Sequence, residues 1–277
     1  MNRRTFLKTS AAALAVGTTA GTCYGFAEAG SFEITRPTLS LPKLPKSFDG
    51  LRIAFLTDIH HGPYTDLPFV TSVVRAALSL NPDLILLGGD YSLREAKYIP
   101  PCFEVLKSLS APLGVFGVMG NHDYAHGETE TRREMRRAGI EELTNAGVWL
   151  RRGNDRLRLA GVDDLWWGKP DLGLALSDVK VDDPVLLLSH NPDYCETLLD
   201  PRAELVFSGH THGGQVRVPG MVNPFIPSMY GDKYSHGLVE APACRVYVSR
   251  GLGATGLPVR YNCPPELTLI TLSAPST

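Results

Sequence analysis

Short apolar runs alternate along this chain with stretches whose apolar positions recur at helical spacing. "LRIAFLTD", ending at Asp58, is a short run closed by polar residues, and "DLPFVTSVVRAALSLNPD" after it has a helical apolar stripe and a proline stop. "LILLGGD", ending at Asp90, is again a buried-strand pattern, so the three predict a β-α-β unit. The alternation continues through a helix at "CFEVLKSL", a strand at "LGVFGVMG", a charged helix at "ETETRREMRRAG" and strands at "GVWLRRG" and "RLRLAGV". Further strands follow at "PVLLLSH", "AELVFSGH", "CRVYVSRG" and "ELTLITL". Helices dominate the first half and strands the second. The predicted fold is α/β, a four-layer α-β-β-α sandwich of two mixed sheets flanked by helices.

The polar residues that close these runs carry the candidate chemistry. They fall in "TDIH" (Asp58, His60), "GGD" (Asp90), "GNHD" (Asn121, His122, Asp123), "LLSH" (His190) and "GHTH" (His210, His212). Taken singly, each has an ordinary structural explanation: His190 as a hydrogen-bonded core histidine, Asp90 as a turn residue. Together they place metal-competent side chains at the same end of five predicted strands, the edge where open α/β sheets bind ligands. Asp-x-His puts both side chains on one face of an extended chain. The neighbouring glycines let the backbone turn sharply and approach closely, so that several loops converge on one point.

In this order and combination the blocks resemble the calcineurin-like metallophosphoesterases, and the "GVDD" at 161–164 and the tail "VYVSRGLGATGLPVRYNCPPELTLITL" are similar to a small exported subgroup of that family. The resemblance implies two divalent metal ions, manganese, zinc or iron. Asp58, His60 and His212 would hold one, and Asn121, His190 and His210 the other, with Asp90 bridging. It implies hydrolysis of phosphoesters, most simply phosphodiesters, by a hydroxide held between the ions. His122 would protonate the leaving alkoxide. Asp123 would either orient His122 or cap the following helix.

Other residues are weighed beside these. Arg94 in "GDYSLR" and the adjacent Trp166 and Trp167 in "DDLWWGKP" are candidate substrate contacts. His61 is expected to be structural, and His126 and His236 to lie at the surface. The basic "TRREMRRAG" reads as a solvated face, with an anionic membrane surface as the second reading.

Composition narrows the partners. With Lys+Arg 27 against Asp+Glu 29 there is no basic footprint for a nucleic-acid polymer. "MNRRTFLKTS", with Arg3 and Arg4, runs into an apolar small-residue stretch, the layout of a twin-arginine export signal that would engage that export machinery. The expected organisation is a leader over 1–29, an extended arm over 30–47 and one metallophosphoesterase domain over 48–277. Export to the periplasm or cell envelope follows from the leader. Cys102, Cys195, Cys244 and Cys263 allow three disulfide pairings or free thiols. The substrate is expected to be lipid or nucleotide derived. One alternative is a pyrophosphatase of a lipid-linked sugar nucleotide such as UDP-2,3-diacylglucosamine, against which export argues. Another is a non-catalytic metal-binding envelope protein.

Overall fold

The computed structural model describes residues 24–221, 223 and 226–275; the arginine pair and the apolar stretch of the expected leader lie outside them. No helix among the described residues is long and apolar enough to cross a membrane. Two mixed sheets face one another. The first runs in the order β1 (Glu33–Thr35), β13 (Glu266–Ser273), β3 (Arg52–Leu56), β4 (Leu84–Leu87), β5 (Val115–Gly117), β6 (Glu141–Glu142), with β2 (Thr38–Ser40) also on β13. The second runs β11 (Gly237–Glu240), β12 (Arg245–Val248), β10 (Leu205–Ser208), β9 (Val185–Leu188), β8 (Asp155–Gly161), β7 (Ala146–Arg152).

Side-chain alternation divides the strands between layers. Ile53, Phe55, Leu84 and Leu86 point into the space between the sheets, where they meet Leu186, Leu188, Leu205 and Phe207. Their neighbours Ala54, Leu56, Ile85 and Leu87 face outward onto α1 (Leu67–Ser79), α2 (Ile99–Leu106) and α3 (Asn121–Arg137). Buried on both faces, these strands read as continuous apolar runs, as central parallel strands do. The outer face of the second sheet has a thinner cover, built on α4 (Leu172–Ala175), α5 (Tyr194–Thr197) and loops around Tyr234.

β3, β4, β5 and β6 are parallel, and so are β8, β9, β10 and β12. Parallel pairing brings the carboxyl ends of β3, β4, β5, β9 and β10 to one edge, and each of these ends carries one of the histidine- or aspartate-bearing blocks. The predicted arm pairs as β1 and β2 against β13, separated at Pro37. One element begins earlier than the pattern predicts. "GNHD" opens α3 instead of preceding it, because Asp123 accepts the Gly120 N–H at 2.9 Å and satisfies an amide that would otherwise be unpaired at the helix start. The four described cysteines are free and buried.

Part of the stretch assigned to the leader packs on the domain. Residues 24–29 are helical, and the Gly25 carbonyl accepts from Arg260 N at 3.0 Å. Glu28 accepts from Asn262 N at 3.1 Å and Cys263 N at 3.0 Å, and the Tyr24 and Tyr261 rings meet edge to face at 5.5 Å. A chain starting at Gly30 is therefore expected to be less stable than one starting at Tyr24 by about 1–2 kcal/mol, from the lost hydrogen bonds to Glu28. Urea unfolding of the two chains measures this; equal midpoints would show that the segment adds nothing.

Candidate metal centre

Five of the seven residues read as ligands hold left-handed backbone: Asp58 at φ 51°, His60 at 48°, Asp90 at 56°, His210 at 66° and His212 at 53°. For non-glycine residues that conformation costs on the order of 1–3 kcal/mol each, and such strain collects at functional sites. The loops are tied to one another across the edge. Asp58 N–H donates to Gly89 O at 3.0 Å, His60 N–H to Asp90 O at 3.0 Å, and His210 N–H to Asp58 Oδ2 at 2.9 Å.

Two glycines are required by close approach. A Cβ at Gly209 would collide with Asp58 Oδ2 and Thr57 Oγ1, and one at Gly120 with Asp90 Oδ1 and His190 Cε1. Gly209→Ala is thus expected to displace Asp58 and weaken metal binding by about 10- to 100-fold, the scale seen when a ligand's support is lost. Metal content after dialysis against limiting metal checks it; an unchanged content would mean the loop relaxes around the methyl group.

The side chains converge as three groups. Asp58, His60 and His212 form one, Asp90, His190 and His210 another, and His60, Asp90 and His122 a third that shares a residue with each; within each, candidate ligand atoms lie within 4.8 Å of one another. Asp90 stands between the first two, with Oδ2 3.4 Å from His60 Nε2 and 3.3 Å from His190 Nε2. Asn121 Oδ1 lies 3.2 Å from His190 Nε2. The structure therefore brings together all seven residues singled out as ligands.

The chemistry of this donor set fits divalent cations. His60 Nε2 and His212 Nε2 are 3.1 Å apart in a fully buried site. His210 Nε2 is buried without a hydrogen-bond partner, a cost that a coordinated ion removes. Burial brings His60 and His210 down to about 3 and holds His212 well below the ordinary imidazole range, so all three present lone pairs at neutral pH. Burial pushes Asp58 up to about 6, against the pull of His190. Burial opposes charge on His190 too, but Asp90, Asp58 and Asp164 outweigh it and raise its proton affinity. His190 Nδ1 lies 2.7 Å from Gly88 O, which fixes the proton on Nδ1 and leaves Nε2 for the site.

His122 sits on the first turn of α3, partly exposed, with its ring edge to face with His60 at 4.8 Å. Asp123 does not orient it. The Asp123 carboxylate accepts N–H groups of Asp90 at 2.7 Å, Tyr91 at 3.0 Å and Gly120 at 2.9 Å, so the residue caps the helix and clamps the Asp90 loop, the second of the two expectations. His122 Nδ1 instead meets His126 Nε2 at 3.3 Å. The sequence reading placed His126 at the surface; its four-residue spacing from His122 on one helix was the available signal.

The remaining candidates separate. Trp166 presents an edge-to-face contact to the His210 ring at 4.3 Å and is 48% exposed, so it walls the site; Asp164 Oδ1 accepts the Trp166 and Trp167 amides at 2.9 and 2.8 Å. Trp167 is exposed beside it, without a ring contact to the histidines. Arg94 is exposed and donates to the Tyr64 hydroxyl at 3.0 Å. His61 is structural, its Nδ1 2.8 Å from Thr65 O. Arg260 was not singled out by sequence. Fully buried, it binds the carbonyls of Gly253, Arg250 and Cys263 and lies 3.4 Å from His212 Nδ1, locking the 250–263 loops behind that imidazole.

Two facing α/β sheets with histidine, aspartate and asparagine ligands gathered at one strand edge define a metallophosphoesterase. The chain belongs to the calcineurin-like phosphoesterase family, whose model matches residues 51–214. It is 35% identical to the metallophosphoesterase YkuE of Bacillus subtilis, over 99% of this chain and 98% of that one. It is 34% identical to phosphodiesterase YaeI of Escherichia coli, over 98% and 99%. To the UDP-2,3-diacylglucosamine pyrophosphatase LpxG of Chlamydia trachomatis it is 29% identical, over 86% and 88%.

Proposed function

We propose that the protein is a phosphodiesterase that works with two divalent ions, manganese, zinc or iron, exported by the twin-arginine route. The observation that carries the reading is Asp90, whose single carboxylate lies between the two ligand groups. When bound, such a pair of ions acidifies water and withdraws charge from the phosphoryl oxygens. The protein's own contribution is positional. Neutral His60, His210 and His212 and the carboxylates fix the reaction centre, and Trp166 shields the His210 side from solvent. His122 approaches from the open side and gives a proton to the departing ester oxygen, with His126 holding its Nδ1. The name of relative YaeI agrees with diester cleavage.

A second reading, pyrophosphatase action on a lipid-linked sugar nucleotide, is favoured by the similarity to LpxG. The arginine-paired leader opposes it, since export separates the enzyme from a cytosolic precursor. Turnover of bis-nitrophenyl phosphate and of nitrophenyl phosphate by metal-stripped protein resupplied with manganese, zinc or iron tests the proposal. Metal-dependent cleavage with diester preference is expected. Bound metal without cleavage of either ester would favour a non-catalytic metal protein.

A further inference from the structure

Beside the metal centre lies a cavity of about 440 Å³ whose lining includes Thr211, His212, Val216, Pro227, Leu257 and Val259. We infer that this cavity receives an alkyl chain of the substrate, so that the phosphodiester cleaved at the metal centre belongs to an amphiphile. The inference rests on the phosphodiesterase reading and names its substrate class.

Continuity with the reaction centre is the first support. His212 lines the cavity, and its Nε2 lies 3.1 Å from His60 Nε2 and 3.4 Å from Asp58 Oδ1. One residue is thus shared by the cavity wall and the cluster, which puts a substituent of a phosphoester held there next to the cavity. The size lies within the range of small-molecule sites.

Polarity is the second support. Among the described residues, no Asp, Glu, Lys or Arg lines the cavity. Two of its polar side chains are already engaged: the Gln215 amide donates to Thr255 O at 2.9 Å and accepts from Thr255 N at 2.7 Å, and Thr211 Oγ1 donates to Ser235 O at 2.9 Å. A sugar or nucleobase placed there would lose its hydrogen bonds to water and find few replacements, a cost an alkyl chain does not incur.

Exposure is the third. Leu257, itself part of the wall, is 71% exposed, so the apolar lining continues to the solvent-facing surface at that residue.

A series of nitrophenyl alkyl phosphates with methyl, butyl and octyl chains, each below its micelle concentration, tests the inference. The expected kcat/KM rises with chain length, by up to roughly fourfold per buried methylene. Leu257→Asp and Val216→Asp should each reduce the octyl-to-methyl ratio by at least tenfold; Leu257 is exposed enough that its variant is expected to fold. A flat series in the parent, or a slope both variants retain, overturns the inference. Calorimetric titration with octyl phosphate and methyl phosphate reads the cavity without turnover. Octyl preference without cleavage of any diester would keep the cavity assignment and remove the phosphodiesterase reading. Diester cleavage with equal binding of the two phosphates would do the reverse.

Discussion

Asp90→Asn protein is expected to fold as the parent does and to lose at least about 10³-fold in kcat on bis-nitrophenyl phosphate, exceeding the 10²–10³ typical of removing one electrostatic donor. The substitution keeps size and one oxygen, so the hydrogen bond from His122 N to Oδ1, 2.9 Å in the parent, can persist. What it removes is the second oxygen and the charge. Asp90 Oδ2 is the atom that faces both His60 and His190, and an amide nitrogen there would turn a donor toward groups that must act as ligands. His190, whose proton affinity is raised chiefly by Asp90 against the effect of burial, would also lose its nearest counter-charge. Metal content and circular dichroism accompany the rate measurement. A variant that binds its full metal complement and retains more than about a tenth of parental turnover would be incompatible with a bridging role.

His122→Ala should act differently. It removes none of the seven residues read as ligands, so metal content should hold, while turnover of alkyl diesters falls by about 10²–10⁴. Nitrophenyl esters, whose leaving group departs without a proton, should lose much less. The contrast between the two substrates is the measurement, because a structural disturbance would reduce both. Equal losses would contradict proton donation. His126→Ala, which leaves His122 in place but removes its Nδ1 partner at 3.3 Å, is expected to give a smaller loss with the same substrate dependence.

The convergence of these side chains was legible because parallel strands end together, so blocks closing five apolar runs meet at one edge; the extended-chain expectation for Asp58 and His60 was not met, since both follow the end of β3 in left-handed backbone. Alternation also explains why "LILL" and "VLLL" read as central strands, buried on both faces. What could not be read depends on contacts between distant parts of the chain. Nothing near Asp123 indicates that it will accept the amides of Asp90 and Tyr91, more than 30 positions earlier. Arg260 lies 48 positions from His212 and follows a glycine-rich stretch that reads as a turn; only folding gathers the carbonyls that bury it. Glu28, in sequence an unremarkable residue of the leader, finds its partners 234 and 235 positions away. His126 is the opposite case, since a single helical turn links it to His122 and its polar surroundings drew the reading toward the surface.

The account stands on two ions sharing Asp90, and stepwise metal titration of stripped protein tests this most directly. Bound metal and bis-nitrophenyl phosphate turnover are measured together at each addition. The account predicts that binding stops at two equivalents per chain and that most of the activity appears with the second. Full activity at one equivalent, or two equivalents bound in Asp90→Asn protein with turnover intact, would contradict it.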